Sequence, residues 1–102
     1  MSYRFIRTAT VKTGAAMPNA LRFASEVTAY MNKRYSLNMK FGAELFGASK
    51  LHWHFDTDSL DKIQQLNAQL MEDREYLGLL DKYKDAWVDG SIKDTLVTVL
   101  GG

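Results

Sequence analysis

His52 and His54 are the two imidazoles of this chain, and they stand two residues apart. Side chains alternate along an extended strand, so both rings face the same side. Histidine titrates nearest neutral pH, which suits general acid–base work. Folding the segment Asn38–Asp56 as a hairpin about Gly47-Ala-Ser49 sets Glu44 opposite His52. A carboxylate there raises the imidazole pKa and fixes the ring's orientation. The same fold sets Gly42 opposite His54, leaving a small pit where a substrate can approach. His54 is therefore the candidate acid or base, with His52 and Glu44 tuning it. His-x-His beside a glutamate is also a start for zinc or non-haem iron, with Glu44 or Asp56 as third ligand. Lys40 is expected opposite Asp56, holding that carboxylate in a cross-strand ion pair, so no metal is assigned. The plain alternative makes both histidines hydrogen-bonded interface or rim residues.

The strands that carry these groups sort by face. Met39, Phe41, Ala43 and Leu45 oppose Leu51, Trp53 and Phe55 on an apolar side. Lys40, Gly42 and Glu44 oppose Asp56, His54 and His52 on a polar one. One side of this hairpin is buried and the other is available for chemistry. Tyr3 to Lys12 reads as the first strand from its aromatic and β-branched residues. Pro18 suits the first turn of a helix. Leu21, Ala24, Val27, Thr28 and Met31 continue that helix to about Tyr35. Asp56-Thr-Asp-Ser59 offers oxygen acceptors for the start of a second helix with the stripe Leu60, Ile63, Leu66 and Leu70. Met71-Glu-Asp-Arg-Glu75 is expected to bend it. Tyr76, Leu80, Tyr83 and Trp87 form the next stripe, which Asp89-Gly90 is expected to close with a glycine cap. Ile92 to Leu100 is the last strand. The order β-α-β-β-α-α-β implies an α+β, ferredoxin-like fold: a four-stranded antiparallel sheet with its helices on one face.

Composition bounds the rest. With 102 residues the chain is expected to form a single domain, residues 1–102. Thirteen basic and twelve acidic residues are interspersed for a net charge of +1. No block of like charge points to nucleic acid or an acidic membrane. The chain has no cysteine, which rules out disulfides and thiolate chemistry and fits a cytoplasmic protein. No signal peptide and no spanning run of about 20 apolar residues is read. Gly47-Ala-Ser-Lys50 is a hairpin turn rather than a phosphate cradle, and no serine sits in a nucleophile elbow. No cofactor motif occurs.

Helices cover one sheet face, so the other meets water or a partner. Its expected residues include Ile6, Phe46, Val97 and Val99, too apolar for open solvent, beside Thr8, Lys40, His52, His54 and Lys93. Such a patch marks an interface, and the economical partner is a second copy related by a two-fold axis. Trp53 points to the opposite face, with Trp87, Tyr83, Phe41 and Phe55 as expected core neighbours. Tyr30 and Phe23 are placed at the edges of the first helix's stripe. Arg7 falls with the helix-facing set, where a guanidinium must be paired. Either it reaches an acid at a helix end, or a bulge turns it towards a cavity. Arg4 and Lys93 are read as exposed charges.

Arg7-Thr-Ala-Thr-Val-Lys-Thr-Gly14 resembles the first strand and turn of NIPSNAP-type proteins, an Arg-Thr-aromatic-Thr-Leu-Lys-Pro-Gly pattern. Leu51-His-Trp-His-Phe-Asp-Thr-Asp-Ser-Leu60, with Leu66, Leu70, Glu72-Asp73 and Tyr76-Leu77, resembles their third strand and the helices after it. Ala9 replaces a usual aromatic, Phe5 a frequent acid, and Asp73-Arg74 the usual Asp-Pro. The resemblance implies membership of the dimeric α+β barrel superfamily. That superfamily includes cofactor-free monooxygenases, haem-degrading enzymes, isomerases, dehalogenases and members without known activity.

Two functions follow as expectations. One is a small homodimeric, cofactor-independent enzyme, monooxygenase- or isomerase-like, acting on a partly apolar organic molecule inside the barrel. The other is a ligand-binding or structural dimer without catalysis.

Overall fold

The computed structural model describes residues 2–44, 47 and 49–101. The chain runs through β1 (Ser2–Thr10), a 3-10 turn (Gly14–Ala16) and α1 (Met17–Tyr35) to β2 (Lys40–Ala43) and β3 (Lys50–Thr57). It continues through α2 (Leu60–Leu70), α3 (Arg74–Lys82) and a second 3-10 turn (Lys84–Ala86) to β4 (Lys93–Val99). The described strands form one antiparallel sheet in the order β2-β3-β1-β4. This is the expected ferredoxin-like α+β fold. Among the described residues no helix is long and apolar enough to cross a membrane.

Local chemistry explains the helix ends. The Thr13 hydroxyl accepts from the Ala16 amide at 3.2 Å, and Pro18 sits in the first turn of α1. Lys33 and Arg34 occupy its last turn, where cations suit the helix dipole. Ser36 then takes a left-handed conformation (φ 53°) that stops the helix. Ala20 and Ala24 are fully buried on α1, so their small side chains bring the helix close to the sheet. Leu51 is fully buried on the central strand β3. Taking such a side chain out of water contributes roughly 1.5–3 kcal/mol.

The charged stretch at 71–75 does separate two helices, and Asp73 organises the break. Its Oδ1 accepts from the Tyr76 amide at 3.0 Å and so caps α3. Its Oδ2 accepts from the Tyr30 hydroxyl at 2.6 Å and from Tyr35 at 2.5 Å. Burial pushes the Asp73 carboxyl up. Hydrogen bonds from both tyrosines and from the Tyr76 and Glu75 amides outweigh that and bring its pKa down to about 2. At the far end of this segment Tyr83 donates to Glu26 on α1 at 2.8 Å. Both ends of the α3 region are thus tied to α1.

Several expectations need correction. β1 ends at Thr10 rather than Lys12. Val11 still donates its amide to the Ser49 carbonyl at 2.7 Å but bridges Trp87 on its other side, and the Lys12 amide donates to Ala86, so the chain passes from the sheet to the connector. Gly90 has φ +72°, but it lies beyond the second 3-10 turn and does not cap α3, which ends at Lys82. Phe23 is a central core residue rather than an edge one. Its ring meets Trp53, Tyr83 and Trp87 at 5.6–6.0 Å between centroids. The hairpin register differs by two residues, because Lys40 pairs with His54 and Gly42 with His52. Faces survive a shift of two, but the cross-strand neighbours do not. Leu45, Phe46 and Ala48, including the expected apolar contribution of Phe46 to the outer face, lie outside the described residues.

Candidate functional site

The outer sheet face carries the predicted residues in rows. One row runs Lys40, His54, Ile6 and Thr95, and the next runs Gly42, His52, Thr8 and Lys93. His52 and Glu44 do come together, with Nε2 and Oε1 3.2 Å apart. The contact is diagonal, since the Glu44 amide bonds the Lys50 carbonyl instead of lying opposite His52. The pit expected beside His54 lies beside His52. A Cβ at Gly42 would meet nothing within 4 Å, and the neighbour of His54 is Lys40. Lys40 therefore does not hold Asp56. Arg4 does, with Nε and Nη2 donating to the two carboxylate oxygens at 2.8 and 3.1 Å. That hydrogen bonding holds the Asp56 carboxyl below its ordinary range. Among the described residues no three of His, Asp and Glu converge as a metal set. Val97 remains 40 % exposed on this face.

A cavity of about 330 Å³ lies on the other side, between the sheet and the helices. It falls at the lower end of small-molecule pockets, about 300–1,000 Å³. His52, His54 and Glu44 do not line it. Phe5, Trp53 and Phe55 form its sheet wall, Val27, Leu66 and Leu80 face them from the helices, and Trp87 closes one side. Trp53 and Trp87 are the two tryptophans of the chain, with ring centroids 5.7 Å apart. Ala9 lies on the wall as a small residue between larger ones. The segment before β4 contributes Asp89, Gly90 and Ile92, and Ile92 is 59 % exposed, which marks this side as the rim.

Polar groups are few in this chamber and Arg7 is the central one. It stands on the helix-facing side, as alternation requires. Its partner is neither a helix-end acid nor a bulge-directed contact. It is Asp94 on the neighbouring strand, directly across the ladder. Arg7 Nε and Nη2 donate to Asp94 at 2.7 and 2.9 Å, and Nη1 reaches the Tyr76 hydroxyl at 3.4 Å. The Asp94 hydrogen bond outweighs burial and holds the Arg7 pKa above its ordinary value. The Phe5 ring lies 5.8 Å from the guanidinium carbon. Trp53 Nε1 is buried without an acceptor among the described residues. The helix-facing position of Arg7 was the one sequence signal of this chamber. The aromatic residues read equally well as a filled core, because periodicity reports which way a side chain faces and not whether the space beyond it is occupied.

No family profile and no curated protein matches the sequence. Solved structures do resemble the fold. A NIPSNAP family protein with unknown function from Agrobacterium tumefaciens aligns with a TM-score of 0.76 and 22 % identity, over 94 % of this chain and 86 % of that one. An uncharacterised NIPSNAP-like domain protein from Burkholderia xenovorans gives 0.79 and 10 %, over 97 % and 85 %. SnoaB, a cofactor-independent oxygenase from Streptomyces nogalater, gives 0.70 and 10 %, over 99 % and 95 %.

Proposed function

We propose that this chain, which has the fold shared by NIPSNAP proteins and antibiotic-biosynthesis monooxygenases of the dimeric α+β barrel kind, binds a small, partly apolar organic molecule in the chamber between sheet and helices. It acts there as a cofactor-independent enzyme of the monooxygenase or isomerase kind. The observation that carries this reading is the 330 Å³ chamber itself, apolar and aromatic-walled with a few polar groups, Arg7 and Tyr76 adjacent among them. That combination of an apolar body and few orienting groups is what small-molecule sites share.

The chain works as a homodimer through the outer sheet face. Val97, 40 % exposed, and the half-buried Ile6 support this, because apolar side chains on an uncovered sheet favour a partner. Sedimentation tests it: a monomer at micromolar concentration removes the dimer from the proposal.

A second reading places chemistry on the outer face, with His54 as acid or base and His52 and Glu44 tuning it. The 3.2 Å contact between His52 and Glu44 favours it. The two readings separate by nuclear magnetic resonance. Both indoles stand on the chamber wall, so a naphthalene-sized probe binding there shifts both indole N–H signals saturably. Ala9→Leu, which takes up chamber volume, weakens that response, whereas His52→Gln and His54→Gln leave it intact. Indole signals that stay fixed while the histidine resonances shift would move the site to the outer face.

A further inference from the structure

Two hydrogen-bond donors, Arg7 and Tyr76, meet on the chamber wall. Arg7 has five N–H groups, and Asp94 takes one from Nε and one from Nη2. Nη1 meets only the Tyr76 hydroxyl, at 3.4 Å, a length at which a hydrogen bond is weak. Tyr76 accepts in that contact, so its own hydroxyl proton has no acceptor among the described residues. Arg7 and Tyr76 both line the chamber. An arginine whose side chain is 30 % exposed, held rigidly by a two-pronged ion pair, thus presents unfilled donor capacity beside a second donor.

Charge decides what these donors take. Asp94 neutralises Arg7, so the pair is not a net cationic anion trap. Asp89 adds a negative charge to the lining and Lys84 a positive one. A carboxylate bound at Arg7 would sit near Asp94, and like charges repel. An uncharged oxygen meets the same donors without that cost. The surrounding wall of Phe5, Trp53, Leu66 and Trp87 suits a flat apolar body.

We propose that the chamber's ligand is an uncharged, mainly apolar molecule carrying a carbonyl-type oxygen, and that this oxygen accepts hydrogen bonds from Arg7 Nη1 and the Tyr76 hydroxyl. The proposal rests on the chamber being the binding site. It makes Arg7 and Tyr76 the residues that orient the ligand, and it gives Asp94 a positioning role through Arg7.

Three probes of one shape test it by titration calorimetry: 2-acetylnaphthalene, its hydrocarbon counterpart 2-isopropenylnaphthalene, and 2-naphthoate. The ketone is expected to bind about tenfold more tightly than the hydrocarbon, the order of one hydrogen bond to a charged donor. The naphthoate is expected to bind more weakly than the ketone. Tyr76→Phe removes only a hydroxyl, and Arg7→Lys keeps the charge but loses the fork. Each should bring the ketone to within a few-fold of the hydrocarbon without weakening the hydrocarbon. Should Arg7→Lys fail to fold, Tyr76→Phe decides alone. Equal binding of ketone and hydrocarbon to the native chain, or a ketone preference untouched in the variants, overturns the assignment while leaving the chamber as a site. Tightest binding by the naphthoate overturns the uncharged ligand. Failure of all three probes to bind overturns the chamber reading together with this one.

Discussion

Replacing Asp73 by Asn removes one charge and little else. Asn caps helices about as well as Asp, so its oxygen can still accept from the Tyr76 amide. Its amide nitrogen then faces the Tyr30 and Tyr35 hydroxyls, which lose a charged acceptor at 2.6 and 2.5 Å. The carboxyl is lowered from 3.8 to about 2 in the folded chain. At 1.36 kcal/mol per pKa unit that is about 2 kcal/mol, and partial solvent access reduces it to roughly 1–2 kcal/mol. A depressed carboxyl contributes stability that is fully present above the unfolded pKa near 3.8 and is lost as the pH falls through about 2. Urea unfolding of the native chain and of Asp73→Asn at a series of pH values between about 2 and 6 reads this directly. The variant is expected to be less stable by about 1–2 kcal/mol at pH 6, a drop of several degrees in Tm. The two curves should converge towards pH 2. A variant as stable as the native chain at pH 6, or a gap that stays constant down to pH 2, would mean that the carboxylate is not what holds α3 to α1.

Other outcomes follow from burial and backbone geometry. Leu51→Ala empties a fully buried position on β3 and should cost about 2–5 kcal/mol in chemical unfolding. Thr28→Val removes a buried hydroxyl that has no partner among the described residues. It should therefore leave stability unchanged or raise it by up to about 1 kcal/mol, where a buried hydroxyl that does make a hydrogen bond would give a loss. Gly90→Ala forces a Cβ into φ +72° and should lower stability by about 1 kcal/mol.

Much of this protein was legible in the order of its residues. Alternation along 50–57 separates Leu51, Trp53 and Phe55 from His52 and His54, and the fold keeps them on opposite faces. Facing is a local property, set by backbone geometry, so it can be read before any partner strand is known. Register is not local. It depends on how two strands meet, and a two-residue difference in pairing moved Gly42 from His54 to His52 and Lys40 from Asp56 to His54. Arg7 shows the same division. Its sequence position called for a buried partner, but only the pairing of the distant strands β1 and β4 supplied Asp94. The chamber lies furthest from the sequence, because a cavity is the volume left between elements after they pack. Spacing along the chain places each side chain on a wall, and the tertiary structure alone determines how far apart the walls stand.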